Sequence, residues 1–219
     1  MILSAIWLLV VSGIMLLLGY FFGCLNGSVM VSHFIIKDDV RQHGSGNAGL
    51  TNFYRTYGAK YAIGVILIDM GKALAACLIG GFLFLNLFGR WELGVLVAGL
   101  GCELGHMFPV FYGFKGGKGI LSGGTLILLL DWRVALIAWA LFAALWLLTR
   151  YVSLGSVAAA ASVPVSVTIF FWPYILDIVL ATFIAGLVIW CHRENIHRLL
   201  RGEERKFKWH TGPSDNKHE

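Results

Sequence analysis

Charged residues are scarce in this chain. Asp, Glu, Lys and Arg make up 13% of its 219 residues, about half of the roughly 25% found in soluble domains. Hydrophobic residues reach 58%, and the mean hydropathy is +0.77. This composition argues against a water-soluble fold and predicts an integral membrane protein.

The sequence also lacks a Pro-, Ser- or charge-rich linker, so we predict a single domain over residues 1–219. Residues 1–36 contain no Asp, Glu, Lys or Arg and therefore lack the basic start of a cleavable signal peptide. We expect a retained first span. The four cysteines show no CxxC spacing, which gives no indication of a metal or redox site.

Long apolar segments dominate the chain, and a helix that crosses a bilayer needs about 20 such residues. Seven spans are predicted, at residues 4–30, 59–84, 92–110, 117–131, 133–149, 154–172 and 174–191. The fourth is the weakest, because its charge-free core is short; a tilted helix and half of a re-entrant hairpin both stay open for it. The predicted fold is an all-α polytopic membrane helix bundle with seven transmembrane helices.

The basic residues indicate the orientation of these spans. With the N-terminus outside, 14 of the 17 Lys and Arg residues fall on the inner side, from Lys37 to Lys217. Arg90 and Arg133 fall outside, and Lys72 lies within a span. This asymmetry follows the positive-inside rule and predicts a basic cytoplasmic C-terminal segment at 192–219. The basic residues do not form one soluble face, so we do not expect nucleic-acid binding.

The first inner loop reads RQHGSGNAGLTNFYR. Gly44, Gly46 and Gly49 match GxGxxG, but the dinucleotide fingerprint requires a preceding strand and a βαβ unit, and here membrane helices are predicted on both sides. A glycine-rich turn allows positive φ and exposes N–H groups to an anion. Side-chain donors are Ser45, Asn47, Thr51, Asn52 and Arg55. The loop is predicted either to bind phosphate or only to cap the next helix.

The second inner segment, GHMFPVFYGFKGGKG, ends in a basic glycine-rich turn before an apolar helix. Lys115 and Lys118, with Gly116 and Gly117, would add charge to the free N–H groups at a helix N-terminus. No Ser or Thr follows Lys118, so the segment is not a nucleotide-binding P-loop. Anion binding is favoured, and a topology signal at the lipid headgroups is the alternative.

The third inner segment, HRENIHRLLRGEER, follows the last span. Helical spacing places His192 and Asn195 on one face, where both can reach a common site. The outer basic residues are expected to contact anionic lipid instead. These residues are Arg198, Arg201, Arg205, Lys206 and Lys208.

Two further pairs of residues are notable. Asp69 and Lys72 stand three residues apart within a predicted span and are expected to pair, with a functional and a structural role both open. His33 and Asp38 have the HxxxxD spacing of another class of glycerolipid acyltransferases. We expect His33 to be interfacial, because the surrounding motifs of that class are lacking.

Taken together, these motifs make the chain resemble the acyl-phosphate-dependent glycerol-3-phosphate acyltransferases, the PlsY family, over nearly its full length. Three signatures occur in the family's order: GSGNAGLTN with Arg55, GHMFPVFYGFKGGKG, and HRENIHRLLRGEE; DMGK and TRYVSLGS also match. The chain departs at Leu50, where the family usually has Ala. It also has Cys24, Leu25 and Asn26 where the family usually has Ser-Ile-Pro.

The resemblance implies transfer of a fatty acyl group from acyl phosphate to the sn-1 hydroxyl of glycerol 3-phosphate, giving lysophosphatidic acid and phosphate. It implies a bacterial inner-membrane enzyme with a cytoplasmic site, surrounded by membrane lipids and supplied by a soluble acyl-phosphate-producing enzyme. No metal or other cofactor is expected. The implied catalytic residues are Ser45, Arg55, Lys118, His192 and Asn195. The predicted substrate-binding residues are Gly44, Gly46, Asn47, Thr51, Asn52, Lys115, Gly116 and Gly117.

In this reaction we expect a substrate phosphate to accept the hydroxyl proton, and His192 to position phosphate by hydrogen bonding rather than act as an obligatory base. The acyl tail is expected to lie between helices and to open toward lipid. The main alternative is a transporter of phosphate or an organic anion, which also suits polar loops and buried charge. A non-catalytic lipid-binding membrane protein is the third possibility.

Overall fold

The computed structural model describes residues 2–208, and its regular structure is helical throughout. The helices are α1 (Ile2–Gly23), α2 (Gly27–Met30), α3 (Leu50–Tyr57), α4 (Ala59–Phe88), α5 (Trp91–Met107), α6 (Ile120–Leu130), α7 (Trp132–Thr149), α8 (Val152–Phe171), α9 (Ile175–Cys191) and α10 (Arg193–Leu200). The seven predicted apolar segments correspond to α1 with α2 and to α4–α9. Lys217, counted above on the inner side, lies outside the described residues.

The chain is a multi-pass membrane protein. Within residues 2–208, five helical segments are long and apolar enough to cross a bilayer, and α9 with α10 makes a sixth if this pair, bent by 57°, counts as one span. α6 has only 11 residues, which is about 16 Å of helix at 1.5 Å per residue. A count of seven crossings therefore stays a prediction.

The short length of α6 has a structural reason. After α5 the chain runs on through a 3-10 turn at Val110–Tyr112 and then folds back. The Gly116 N–H donates to the Met107 carbonyl at 3.2 Å, and the Gly117 N–H donates to the His106 carbonyl at 3.1 Å. α6 consequently begins only at Ile120, beside the last turn of α5.

The first predicted segment, residues 4–30, is not one continuous helix. It is interrupted at residues 24–26, where this chain has Cys24, Leu25 and Asn26. The Asn26 side chain accepts a hydrogen bond from the Val29 N–H at 3.0 Å and so caps α2. The Asn26 amide also donates to the Ala48 carbonyl at 3.1 Å, which ties the interruption to the first glycine-rich loop.

The helices form two groups that share α5. α1, α4 and α5 pack on one another, and α5, α6, α7, α8 and α9 follow each other around a ring. α1 and α5 lie close because their contact is built from small residues: a β-carbon on Gly19, Gly101 or Gly105 would collide with the backbone of the opposite helix. The ring of helices encloses the main cavity of the protein.

Candidate active site

The first glycine-rich loop is shaped by one amide side chain. Gly44 and Gly46 have φ values of 58° and 70°, which glycine adopts without strain. The Asn52 Oδ1 atom accepts from the Ser45 N–H at 3.0 Å, and Nδ2 donates to the carbonyls of Val40, His43 and Asn47 at 3.2, 3.0 and 3.1 Å. The polar atoms of Asn52 are thus occupied by the loop itself. Asn52 holds the loop in shape, and its predicted contact with substrate stays a prediction.

The second glycine-rich loop lies directly against the first. The Ala48 N–H donates to the Gly116 carbonyl at 3.3 Å, and the Asn47 side chain reaches the same oxygen at 3.4 Å. Lys118 follows this contact and is half-buried, at the end of the loop that leads into α6. Asn47 and Gly116 are 69 positions apart in the sequence. The two loops are therefore joined although they are distant along the chain.

The third segment reaches the same place from α9. The Lys118 ammonium donates to the Asn195 Oδ1 atom, and Asn195 Nδ2 donates to the Glu204 Oε1 atom at 2.8 Å. Glu204 also accepts from Ser153 Oγ and from Arg198 Nε, each at 2.8 Å. Burial acts to raise the pKa of Glu204, but these hydrogen bonds outweigh it and hold the pKa below its ordinary value. An ionised Glu204 links α8, α10 and the second loop.

His192 stands at the bend between α9 and α10. Its Nδ1 atom lies 2.8 Å from the Val188 carbonyl; because a carbonyl only accepts, Nδ1 must carry the proton. Burial lowers the pKa of His192 to about 4, so the ring is neutral near pH 7. The free Nε2 atom is then a hydrogen-bond acceptor. A neutral Nε2 can position a phosphate only by accepting from a phosphate hydroxyl, so the predicted role of His192 stays a prediction.

The predicted residues meet at a cavity of about 1240 Å³. It is lined by all five predicted catalytic residues, Ser45, Arg55, Lys118, His192 and Asn195, and by Gly44, Asn47, Thr51 and Asn52. A smaller cavity of about 220 Å³ is lined by the remaining glycines, Gly46, Gly116 and Gly117, and Ser45, Asn47 and Lys118 line both. Lys115 lines neither cavity and is exposed. The structure therefore does not bring Lys115 to the site.

Sequence reasoning missed several residues of this cavity. Arg198 and Arg205, expected at the lipid surface, line it instead, and so does Glu204. The Arg55 guanidinium donates to the Arg205 carbonyl at 3.1 Å. The spacing of Asn195 and Arg198 puts both on one face of α10, a signal that could have indicated Arg198. No local pattern indicated Glu204, because its partners come from other helices.

The departure at Leu50 is accommodated within the first loop. Leu50 is half-buried, packs against the apolar cluster beneath the loop and also lines the cavity. The HxxxxD pair does not form: His33 is exposed, while Asp38 lies 2.8 Å from the Nε2 atom of His43. His43 lines the cavity.

The predicted pair within the second span is confirmed. Lys72 Nζ lies 2.8 Å from Asp69 Oδ1 and 2.8 Å from His106 Nδ1, with both members of the pair buried. Lys72 also donates to the Gly23 and Leu25 carbonyls at 3.1 and 2.9 Å. Asp69 accepts from the Gly27 N–H at 3.0 Å. The pair thus binds the free backbone groups on both sides of the interruption between α1 and α2.

Comparison with known proteins gives the family. The glycerol-3-phosphate acyltransferase family model matches residues 13–202. The chain belongs to the glycerol-3-phosphate acyltransferase family. A glycerol-3-phosphate acyltransferase of Finegoldia magna is 39% identical over 86% of this chain and 92% of that protein. One of Aquifex aeolicus is 37% identical over 85% of this chain and 96% of that protein.

Solved structures of the same acyltransferase family are similar in fold. The glycerol 3-phosphate form of PlsY, described as an integral membrane glycerol 3-phosphate acyltransferase, superimposes with a TM-score of 0.80 at 34% identity, covering 90% of this chain and 96% of that one. Its lysophosphatidic acid form gives a TM-score of 0.78 at 33% identity over 90% and 95%. The two glycine-rich segments of this chain fall within the residues matched by the family model, and the basic third segment does so up to Gly202.

Proposed function

We propose that this protein transfers a fatty acyl group from acyl phosphate to the sn-1 hydroxyl of glycerol 3-phosphate. In this reaction the hydroxyl oxygen forms an ester bond to the acyl carbonyl carbon, and the bond between that carbon and the phosphate oxygen breaks. The products are lysophosphatidic acid and inorganic phosphate. The single observation that carries the proposal is one cavity that combines a basic polar mouth, built from three distant segments, with an apolar arm between helices.

The polar mouth suits two phosphate groups. Arg55, Lys118 and Arg198 supply three cations, and the glycine-rich loops supply N–H groups beside them. An acyl phosphate is a mixed anhydride with a good leaving group, so positioning and charge stabilisation suffice for transfer. We assign Lys118 to the departing phosphate, because it lines both cavities and stands at the start of α6, where the helix dipole favours an anion. The departing phosphate takes the hydroxyl proton.

The geometry of His192 supports a role toward the acceptor hydroxyl. Its unprotonated Nε2 atom would accept a hydrogen bond from the sn-1 hydroxyl and aim the oxygen at the carbonyl carbon. A pKa of about 4 makes it too weak a base to hold the proton at neutral pH. His192 orients the nucleophile, and proton transfer ends on phosphate.

This role predicts a pH profile without a histidine limb. Because the pKa of His192 is lowered to about 4, its charge does not change between about pH 5.5 and 8. We expect His192→Gln to lower kcat about 10²-fold without changing the shape of the kcat/KM profile. A limb near pH 6 that is present in both proteins belongs to the second ionisation of the substrate phosphates. A limb present in the wild type and abolished by His192→Gln would contradict the assignment.

The proposed setting is a bacterial inner membrane, with seven crossings, the N-terminus outside, the single domain of residues 1–219 embedded and the site facing the cytoplasm. Basic residues support this orientation, since Arg55, Lys118 and Arg198 all lie at the end of the bundle that bears the three loops. Glycerol 3-phosphate would arrive from the cytoplasm, drawn by the positive mouth. The donor would arrive through lipid, where Met70 and Trp139 line the cavity and are exposed at the bundle surface. A soluble acyl-phosphate-producing enzyme would supply it.

A transport function has less support. A permeation path needs polar groups along its length, but the inner arm of the cavity is lined by apolar side chains such as Leu126, Ile184 and Val188. Beyond it, Val134 and Val167 are fully buried in a packed core. The cavity therefore suits a lipid tail better than an anion in transit.

The test uses purified protein, radiolabelled glycerol 3-phosphate and palmitoyl phosphate, with lysophosphatidic acid as the scored product. We expect product from palmitoyl phosphate and none when palmitoyl-CoA or palmitoyl-acyl carrier protein replaces it. Absence of product from folded protein would overturn the enzyme proposal, and uptake of label into proteoliposomes without product would favour transport. Equal product from the thioester donors would overturn the proposed donor.

A further inference from the structure

The apolar arm of the cavity has a definite depth. The deepest lining residues are Leu96 of α5, Leu130 of α6, Ala138 of α7, Val163 of α8 and Ala181 of α9. Each of them stands ten or eleven residues from the end of its helix that bears the three loops. At 1.5 Å per residue the arm therefore extends about 15 to 17 Å into the bundle on all five helices.

The arm ends at a packed floor. α7, α8 and α9 continue six to eight residues beyond the cavity, but their next side chains meet one another directly. Val134, Val167 and Phe171 are 0%, 0% and 6% exposed, and they belong to the same core cluster as Ala138 and Ala181 without lining the cavity. A straight chain entering from the polar mouth would stop at this layer or turn toward the exposed lining residues Met70 and Trp139, which stand at the same depth.

We infer, on the basis of the acyl transfer proposed above, that the arm holds the donor's acyl chain and that its floor, formed by Ala138, Val163 and Ala181, limits the length of chain that fits without bending. A carbon–carbon bond of about 1.5 Å at a tetrahedral angle advances about 1.25 Å along an extended chain. An arm of 15 to 17 Å thus accepts about twelve or thirteen carbons without bending. Decanoyl stops short of the floor, and palmitoyl must press against it or bend.

Steric fit, rather than hydrophobic gain, sets this limit. The tail leaves a bilayer that is already as apolar as the helix side chains, so burying more methylene groups brings little free energy. A bulkier floor instead removes space that only a long chain uses. The two alanines at the floor are 1% and 2% exposed, which leaves a larger side chain at either position no direction except into the arm or the core.

The experiment compares palmitoyl phosphate with decanoyl phosphate as donors for the wild type and for Ala181→Phe. We expect the palmitoyl-to-decanoyl ratio of kcat/KM to fall at least about tenfold, with the decanoyl value kept within about threefold. Thr182→Phe is the matched control, because Thr182 is the next residue of α9 and faces outward. This variant should leave the ratio unchanged within about twofold. An equal loss with both donors in folded Ala181→Phe would overturn the inference.

A second variant, with an expected effect in the opposite direction, keeps the inference testable if Ala181→Phe does not fold. Val163→Ala removes two methyl groups from the floor and should raise the palmitoyl-to-decanoyl ratio about threefold or more. An unchanged ratio in Val163→Ala would contradict the inference even if Ala181→Phe did not fold. Failure of the proposed function looks different, since the wild type would then form no product from either donor.

Discussion

Replacing Lys118 by alanine is expected to lower kcat/KM about 10³-fold with little change in thermal stability. Lys118 lines both cavities and donates to Asn195, so its ammonium is placed where the departing phosphate gains charge. Loss of one such hydrogen-bond donor in a water-poor site typically lowers the rate by about 10² to 10³. We expect the loss of a charged donor to lie near the upper limit. Steady-state kinetics with palmitoyl phosphate measures the effect.

Lys115→Ala provides the matched control for this loss. Lys115 comes from the same loop and carries the same charge, but it is exposed and lines neither cavity. We expect its activity to stay within about threefold of the wild type, since a solvated surface charge contributes little. Equal losses in both variants would mean that the net charge of the loop matters and not the position of Lys118.

Replacing Lys72 by methionine is expected to lower thermal stability strongly. The substitution leaves Asp69 buried, at 1% exposed, without its cation, and it frees the Gly23 and Leu25 carbonyls. Breaking a buried pair from one side costs about 3–5 kcal/mol, which lowers Tm by about 6–20 °C for a chain of this size. Thermal unfolding in detergent measures the shift, with Lys60→Met, exposed on the same helix, as the control.

The double variant Lys72→Met with Asp69→Asn separates the two causes. Asn keeps an oxygen for the Gly27 N–H but carries no charge, so it removes the unpaired anion. We expect the double variant to recover several degrees of the loss. If it is no more stable than Lys72→Met alone, the lost caps on α1 account for the damage. A Lys72→Met protein as stable as the wild type would contradict both explanations.

Apolar runs predicted the helices well because each backbone polar group in lipid must be satisfied within its own segment. The interruption of α1 at Cys24–Asn26 escaped prediction for a physical reason. Cys24 and Leu25 are apolar, and Asn26 is its only polar residue; two other groups that stabilise the interruption, Asp69 and Lys72, come from α4. Only the folded chain brings them to the same place.

Part of the candidate site was also predicted from the sequence. Glycine patterns and helical spacing identified Ser45, Lys118 and His192, which share one cavity. The hydrogen bond from His192 to Val188 was not predicted, and it makes Nε2 the acceptor of the ring. Glu204 was not predicted as a site residue, because its contact with Ser153 joins residues 51 positions apart.

The central claim is that three distant segments meet at one membrane face, and the sidedness of single cysteines tests it most directly. The four native cysteines are first replaced by alanine. Single cysteines are then placed at exposed positions in the three segments and in the connections at the other end of the helix bundle. The first set is Gln42, Lys115 and Arg201, and the second set is Leu87, Trp132 and Trp172. In sealed inverted vesicles an impermeant maleimide should label all of the first set and none of the second. Labelling of Gln42 and Arg201 from opposite sides would contradict the account.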